Sequence, residues 1–251
     1  MDDGPLAIMK HCASPFLPVR RLLLAGIASS AIMSSAGHTQ EPERALDTMA
    51  ARVLACASCH GAKGQGTNDD YFPRLAGKPA GYLYNQLLAF RDGRRRYPPM
   101  NYLLAFLPDP FLKAMAEYYA AEQSPFPQPA TPIVNKDILA RGEQLALHGD
   151  ANLEIPACAN CHGPSFTGMQ PAIPGLLGLR TNYISAQLGA WRYGTRTAAA
   201  PDCMQVVTGH LTESDVTALA AWLASQPAPL DPKPVPRGSL SMPLACGSEP
   251  D

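Results

Sequence analysis

The sequence predicts an all-α protein made of two tandem helical domains. Three observations support this prediction. A cysteine motif and the residues that flank it occur twice, 102 residues apart, which indicates an internal repeat. Apolar side chains around each copy recur at spacings of three and four residues, as they do on one face of a helix. The chain also contains almost none of the period-two alternation that indicates β-strands.

Length and composition are compatible with two folded domains and argue against a nucleic-acid-binding protein. The chain has 251 residues, of which 46% are hydrophobic, so each domain can bury a core. Its 20 Lys and Arg residues are balanced by 21 Asp and Glu residues, which gives a formal net charge of -1. This balance provides no electrostatic reason to expect nucleic acid or an anionic membrane surface as a partner.

Residues 1–36 have the order typical of a signal peptide. The basic pair Arg20 and Arg21 precedes the apolar run 22–28, and small residues follow up to Ala36. We predict cleavage after Ala36 and export to the periplasm. Because the apolar run is short for a membrane span, an uncleaved N-terminal anchor is the less favoured alternative.

Proline-rich stretches divide the rest of the chain. The first repeat is predicted at residues 41–125 and the second repeat at residues 135–228. Between them, residues 126–134 form a Pro-rich linker that we expect to be extended. Residues 229–251 lack helical periodicity and are predicted to be an irregular Pro-rich C-terminal tail.

Each repeat is expected to contain a helix before its cysteine motif, a middle helix, a methionine-bearing loop and a final helix. The helices predicted from periodicity and from helix-capping residues are 44–56, 80–91 and 110–123 in the first repeat, and 136–147, 181–192 and 212–226 in the second.

The repeated motif, Cys-x-x-Cys-His-Gly, is the attachment signature of c-type haem. Its two thiols add to the vinyl groups of the porphyrin as thioethers, and the adjacent histidine becomes the proximal iron ligand. Two copies therefore predict two covalently attached haems. The residues concerned are Cys56, Cys59 and His60 in the first repeat, and Cys158, Cys161 and His162 in the second.

Three other uses of these cysteines are disfavoured by the sequence. A redox-active Cys-x-x-Cys pair would be expected in a thioredoxin-like βαβ context, which is missing. A shared Cys₄ zinc site usually separates its two pairs by about 15–20 residues, much less than the separation found here. Structural disulfides between motif cysteines would leave the two adjacent histidines unexplained.

A six-coordinate haem needs a second axial ligand, and position favours methionine. Met100 lies 40 residues after His60, and Met204 lies 42 residues after His162, each in a proline-bearing stretch. The equivalent spacing predicts that both methionines bind iron. Four other methionines are expected to pack in the core, which is the ordinary role of this flexible apolar side chain. They are Met49, Met115, Met169 and Met242.

These features resemble the diheme class I cytochromes c, most specifically the cytochrome c4 family. The resemblance covers residues 45–228 and rests on the two CxxCHG motifs, the paired Pro-x-Leu-x-Gly segments, the Tyr-x-x-x-Gln-Leu helices and the two methionine loops. It implies two cytochrome c-like helical domains related by pseudo-twofold symmetry. It also implies that the carbonyls of Pro73 and Pro174 accept hydrogen bonds from the proximal histidines. The implied iron ligands are His60 and Met100 for the first haem, and His162 and Met204 for the second.

The function implied by the resemblance is electron transport in the periplasm, without catalytic residues. His/Met ligation raises the potential of the iron and leaves no open position for a substrate. The expected partners are redox proteins such as a terminal oxidase, a quinol-cytochrome c reductase or a dehydrogenase, with peripheral membrane association as an option. One alternative is a diheme enzyme similar to a thiosulfate dehydrogenase or a peroxidase, with Cys203 as a haem ligand. Another is an electron-transfer subunit of a membrane oxidase or dehydrogenase.

Three further features each have two interpretations. Arg91 and Arg192 match positions that can approach a haem propionate, or they are solvated cations at helix ends. The basic stretch 94–96 either steers an acidic partner or is a solvated loop. Cys203 and Cys246 either form a disulfide that ties the tail to the second repeat, or Cys203 replaces Met204 as a thiolate ligand.

Overall fold

The computed structural model describes residues 47–69 and 71–249, so the predicted signal peptide lies outside the described residues. These residues form ten α-helices, one short 3₁₀ turn and one two-stranded antiparallel sheet, which confirms the all-α prediction. The helices of the first repeat are α1 (Met49–Arg52), α2 (Leu54–His60), α3 (Ala80–Arg91), α4 (Pro98–Leu104) and α5 (Asp109–Ala121). Those of the second are α6 (Lys136–Leu147), α7 (Ala159–His162), α8 (Thr181–Arg192), α9 (Cys203–Gly209) and α10 (Glu213–Ser225). The 3₁₀ turn is Ala151–Leu153, and the strands are β1 (Gly168–Met169) and β2 (Ile173–Pro174).

The helix predicted before the first cysteine motif is interrupted. Val53 separates α1 from α2, with φ of −95° and ψ of 9°, and its side chain is buried in the core of the first repeat. The second of these helices continues through the motif and ends at His60. Over the described part of 44–56, the prediction of one helix was therefore wrong, because Val53 separates two shorter helices and residues 47 and 48 precede the first of them.

The two methionine loops contain short helices instead of irregular chain. Met100 lies in α4, which starts with Pro98 and Pro99, and proline is well suited to the first helical positions. Met204 lies in α9, where the Asp202 carboxylate accepts a hydrogen bond of 3.1 Å from the main-chain N–H of Gln205. Prolines at the start of α4 and the Asp202 cap of α9 thus favour a helical backbone at both methionines.

Each repeat has its own hydrophobic core, built around its final helix. In the first repeat, Leu112 and Met115 of α5 are buried against α3. In the second, α6 crosses α10 so closely that a Cβ atom on Gly142 would overlap the carbonyl oxygen of Ala218. The side chain of Trp222 in α10 packs edge-on against Phe166, with ring centroids 5.5 Å apart.

The repeats meet across a pseudo-twofold relation. The main chain of Arg95, just after α3, forms an antiparallel bridge with that of Arg196, just after α8. The two arginines are 101 residues apart in the sequence, the same offset that relates α3 to α8. Equivalent parts of the two repeats therefore face each other.

The C-terminal segment (227–249) contains no helix or strand, yet it packs along the protein. Val235 exchanges main-chain hydrogen bonds of 2.9 Å with Gly168 and Gln170 of the second repeat. The side chain of Asn85 in the first repeat donates to the carbonyl of Ser248, at 3.0 Å. The predicted tail thus contacts both repeats.

Among residues 47–69 and 71–249, no helix has the length and apolar character needed to cross a membrane.

Candidate haem-binding sites

The first cysteine motif presents its histidine in a fixed orientation. Cys56, Cys59 and His60 all lie in α2, and Gly61 ends this helix with a positive φ of 82° that favours glycine. The buried His60 donates from Nδ1 to the carbonyl oxygen of Pro73, at 3.0 Å. Burial lowers the pKa of His60, so its ring is neutral and Nε2 keeps a lone pair for a metal ion.

The second motif repeats this arrangement. His162, the last residue of α7, donates from Nδ1 to the carbonyl oxygen of Pro174 at 2.8 Å. The acceptor is positioned by the small sheet, in which Pro174 pairs with Gly168. Burial also lowers the pKa of His162. The roles expected of Pro73 and Pro174 are confirmed, and both histidines are oriented in the way that tunes a metal-bound imidazole.

The four motif cysteines are free thiols and not disulfides. Burial raises the pKa of Cys56, and it raises the pKa of Cys158 to about 12. Within the described residues, no group of three or more His, Cys, Asp or Glu side chains is placed to hold a metal ion. The described residues therefore do not bring the two cysteine pairs together in a shared Cys₄ site.

The two predicted axial methionines occupy comparable positions. Met100 is the third residue of α4 and packs, partly buried, against the core of the first repeat. Met204 is the second residue of α9 and is also partly buried. Iron ligation by Met100 and Met204 stays a prediction.

Cys203 and Cys246 form a disulfide across a sequence separation of 43 residues. A sulfur atom in a disulfide has no thiolate to offer to iron. The interpretation of Cys203 as a haem ligand is therefore wrong in this structure, and the disulfide joins the C-terminal segment to the residue beside Met204.

Arg91 and Arg192 have intramolecular partners at the ends of their helices. Arg91 donates to the carbonyl of Leu107 at 3.2 Å and pairs with Asp109, the first residue of α5. Arg192 donates in the same way to the carbonyl of Leu211 at 2.8 Å. Each arginine thus joins the middle helix of its repeat to the start of the final helix, which favours a structural role at the helix end.

The three arginines of the basic stretch 94–96 do not form one patch. Arg94 pairs with Asp92 at 3.2 Å, Arg96 is exposed, and Arg95 is buried between the repeats. Arg95 therefore belongs neither to a solvated loop nor to an exposed steering surface, and a steering role for Arg94 and Arg96 stays a prediction.

A buried arginine pair connects the repeats. The guanidinium of Arg95 donates to Gln86 of its own repeat at 3.1 Å and to Gln187 of the other repeat at 2.8 Å. The guanidinium of Arg196 donates to the same two side chains, at 2.6 Å to Gln86 and 2.7 Å to Gln187. Arg95 also donates to the hydroxyl of Tyr183 at 2.7 Å. These roles of Arg95 and Arg196 were not predicted, although an arginine occurs at the same offset in both repeats.

The buried donors of Arg95, Arg196 and Trp191 are suited to an anionic group. Neither Arg95 nor Arg196 forms an ion pair with a carboxylate of the described residues, and burial lowers the pKa of Arg196 to about 10. The guanidinium of Arg196 lies over the ring of Trp191, 3.6 Å from its centroid. The buried Nε1 atom of Trp191 has no hydrogen-bond partner among those residues. Haem carries two carboxylates, so these donors fit the cofactor implied by the motifs.

Comparison with known proteins gives a consistent result. The sequence profile of the Cytochrome c family matches residues 49–122 and 139–227. A "Thiosulfate dehydrogenase electron acceptor" of Thiomonas intermedia is 36% identical over 213 residues, which are 84% of this chain and 94% of the relative. A "Cytochrome c4" of Pseudomonas aeruginosa is 33% identical over 69% of this chain and 84% of the relative. The crystal structure of reduced recombinant cytochrome c4 from Pseudomonas stutzeri matches with a TM-score of 0.62 and 28% identity, over 70% of this chain and 96% of that one.

Proposed function

The chain belongs to the cytochrome c family, as a diheme protein of the cytochrome c4 class, and we propose that it accepts electrons from a thiosulfate-oxidising dehydrogenase in the periplasm. It carries two covalently attached c-type haems and acts as an electron carrier. The haems supply one-electron redox chemistry. The dehydrogenase partner, the compartment and the residues that hold each haem are parts of the proposal.

The observation that best supports the haem sites is the same three-part arrangement in both repeats. Two free thiols lie within four residues of a buried histidine, and a proline carbonyl fixes that histidine through Nδ1. In this proposal the thiols of Cys56 and Cys59 anchor the first haem, and those of Cys158 and Cys161 anchor the second. The neutral imidazoles of the histidines provide one axial ligand each.

Met100 and Met204 are proposed to provide the second axial ligands. Both lie near the start of a short helix, at equivalent positions of the repeats. A soft thioether ligand would favour the reduced state of the iron. Ligation by a histidine and a methionine would leave substrate no access to the metal, which is compatible with an electron carrier.

Support for the partner comes from the relatives. The name printed for the Thiomonas intermedia protein, and for a second relative from Stutzerimonas stutzeri that is 38% identical, is "Thiosulfate dehydrogenase electron acceptor". The first of these covers 84% of this chain. We therefore propose a dehydrogenase as electron donor, with a terminal oxidase or another respiratory complex as the later acceptor.

The test uses the full mature chain expressed with haem attachment. Intact mass should show two haems for each chain, and replacement of Cys158 and Cys161 by alanine should remove one of them. A purified thiosulfate dehydrogenase with thiosulfate should then reduce the protein in a stopped-flow experiment. Ascorbate serves as the control reductant.

The outcomes separate the parts of the proposal. One haem for each chain would contradict the assignment of two sites. Two haems that ascorbate reduces, but that the dehydrogenase with thiosulfate does not, would contradict the partner while leaving the haem sites intact.

A further inference from the structure

A cavity of about 260 Å³ lies at the boundary between the two repeats. Residues 65–68 and 72–74 of the first repeat form one side, and residues 178–180 with Tyr183 of the second repeat form another. Residues 125–127, where the first repeat meets the linker, form a third side. None of the proposed iron ligands or anchoring cysteines lines this cavity, so it is separate from the proposed haem sites.

Arg74, one of the lining residues, is a buried cation whose partners are all neutral. It is 5% exposed, and its guanidinium donates to the carbonyl oxygens of Ser124 at 2.6 Å and Pro125 at 2.8 Å. Its Cζ atom lies 4.2 Å from the centroid of the Phe126 ring. It forms no ion pair with a carboxylate of the described residues. A buried charge without an opposite charge nearby is costly, and an anion in the cavity would reduce that cost.

Arg180 brings a second cation to the same cavity from the other repeat. It directly precedes α8 and is half-buried, and its guanidinium donates to the neutral Oδ1 atom of Asn68. No Asp or Glu is among the described residues that line the cavity. Asp69, beside Asn68, is exposed, and its carboxylate accepts a hydrogen bond of 2.8 Å from the N–H of Tyr71. Within the described part of the chain, the cavity thus has two positive charges and no negative charge in its lining.

A third buried cation, Lys78, lies at the same boundary between the repeats. Its ammonium donates a hydrogen bond of 2.7 Å to the carbonyl oxygen of Gly175 in the second repeat, which is again a neutral acceptor. Burial is the main cause of the low pKa of Lys78, which is about 7, and the positive charge of Arg74 lowers it further. The charge of Arg74 therefore repels a neighbouring cation, and this side of the boundary favours an anion.

We propose that the cavity binds a small oxyanion, such as sulfate, phosphate or thiosulfate, between Arg74 and Arg180, and that the bound anion links the two repeats. A guanidinium has five N–H donors in a fixed plane that matches the oxygen atoms of such ions, and the hydrogen bonds to carbonyl and amide oxygens use only some of them. Because a water molecule occupies about 30 Å³ in the liquid, the cavity can hold one oxyanion together with several waters.

The experiment is a calorimetric titration of the holoprotein with sulfate near pH 7, with sodium chloride added to keep the ionic strength constant. Sulfate should bind saturably, with one ion for each chain. Arg180→Met removes one charge and keeps a long side chain, so it should weaken binding about tenfold through loss of charge-assisted hydrogen bonds. Arg180→Lys keeps the charge and should bind more tightly than Arg180→Met. Arg96→Met removes the same charge from an exposed position and should leave the affinity unchanged.

Titrations with phosphate and with thiosulfate identify the oxyanion that the site prefers. Thiosulfate is added to the ascorbate-reduced protein, so that binding is measured without electron transfer. Thermal unfolding is a second readout, since an anion that binds only the folded protein stabilises it. Sulfate should raise the unfolding temperature of the wild-type protein and of Arg96→Met more than that of Arg180→Met.

The wild-type titrations test the site without any variant, and a lack of saturable binding by all three oxyanions would overturn the proposal. Equal sulfate affinity of the wild-type protein and Arg180→Met, or an equal loss of affinity in Arg96→Met, would also overturn it, because the ion would then bind elsewhere or only screen surface charge. Haem count before each titration shows that the variants carry both haems. The proposed haem sites and electron donor would stand in each of these cases.

Discussion

The side-chain amide of Asn101 donates a hydrogen bond to the carbonyl oxygen of Phe90, so the helix that carries Met100 is fixed against the end of the middle helix. The same amide donates to the carbonyl of Arg95 at 2.9 Å, and the Oδ1 atom of Asn101 accepts from the N–H of Tyr97 at 2.8 Å. One side chain thus holds both ends of the turn between α3 and α4. It is adjacent to the proposed iron ligand.

We predict that Asn101→Ala weakens ligation by Met100. Loss of these bonds costs about 1–2 kcal/mol, so an external ligand such as cyanide should bind the ferric first haem about tenfold more readily. Cyanide binding followed by absorption measures this effect. Gln205→Ala, at the equivalent position of the second repeat, is the control and should change it little. Unaltered cyanide binding in Asn101→Ala would show that the amide does not hold Met100.

A second prediction concerns the ligands themselves. Ferric haem with a methionine ligand has a weak near-infrared charge-transfer band, and each of Met100→Ala and Met204→Ala should remove about half of its intensity if both methionines bind iron. Met115→Leu is the matched control, since Met115 is buried in the core and should leave the band intact. A full band in either alanine variant would mean that another residue binds that iron.

The acid stability of the second repeat should depend on a network around Arg141. Its guanidinium pairs with Asp150 and with Asp215, each at 2.8 Å. The hydrogen bond from Arg141 is the main cause of the lowered pKa of Asp150. Burial alone would raise the pKa of Asp215, but hydrogen bonds from Thr212 and Arg141 outweigh burial and lower it.

Carboxyl groups with a lowered pKa in the folded state stabilise the protein above their unfolded pKa, and this contribution is lost as the pH falls through the folded value. The free energy of unfolding should therefore decrease when the pH is lowered to less than about 4. Asp215→Asn should flatten this acid dependence, measured by denaturant unfolding across pH. The exposed Asp137→Asn is the control and should retain it. An acid slope unaltered by Asp215→Asn would exclude the network as its source.

The Cys203–Cys246 disulfide is expected to stabilise the second repeat and the position of Met204. Because it closes a loop with a sequence separation of 43 residues, its removal should cost about 2–4 kcal/mol. Replacing both cysteines by serine avoids leaving a lone thiol, and denaturant unfolding gives the loss directly. Wild-type protein treated with a reductant should behave like the double variant. If the untreated wild-type protein and the double serine variant had equal free energies of unfolding, this expectation would be contradicted.

Periodicity and helix-ending residues predicted much of the fold. Three helices, Ala80–Arg91, Lys136–Leu147 and Thr181–Arg192, begin and end at the predicted residues. The final helix of the second repeat was predicted within one residue at each end, because Thr212 forms a capping box with Asp215 and a proline follows Gln226. Local chemistry decides these boundaries, so a sequence can reveal them.

The parts that the sequence did not predict depend on contacts between distant residues. The break between α1 and α2 lies at Val53, whose side chain is buried against the rest of the first repeat. Arg95 was grouped with its neighbours Arg94 and Arg96, whereas its partners Tyr183 and Gln187 lie in the other repeat. Periodicity along the chain contains no information about such partners. Comparing the repeats position by position would have singled out Arg95 and Arg196 together.

The reciprocal hydrogen bonding of Arg95 and Arg196 also affects how the association of the two repeats depends on protein concentration. Each arginine donates to one glutamine of its own repeat and to one glutamine of the other repeat. Two copies of a single repeat could therefore form much the same hydrogen bonds with each other, as the subunits of a symmetric homodimer do. Joining the repeats in one chain makes their association intramolecular, with a high effective concentration. The distance between the two haem sites should consequently stay the same at any dilution, which a dimer of separate single-haem proteins could not ensure.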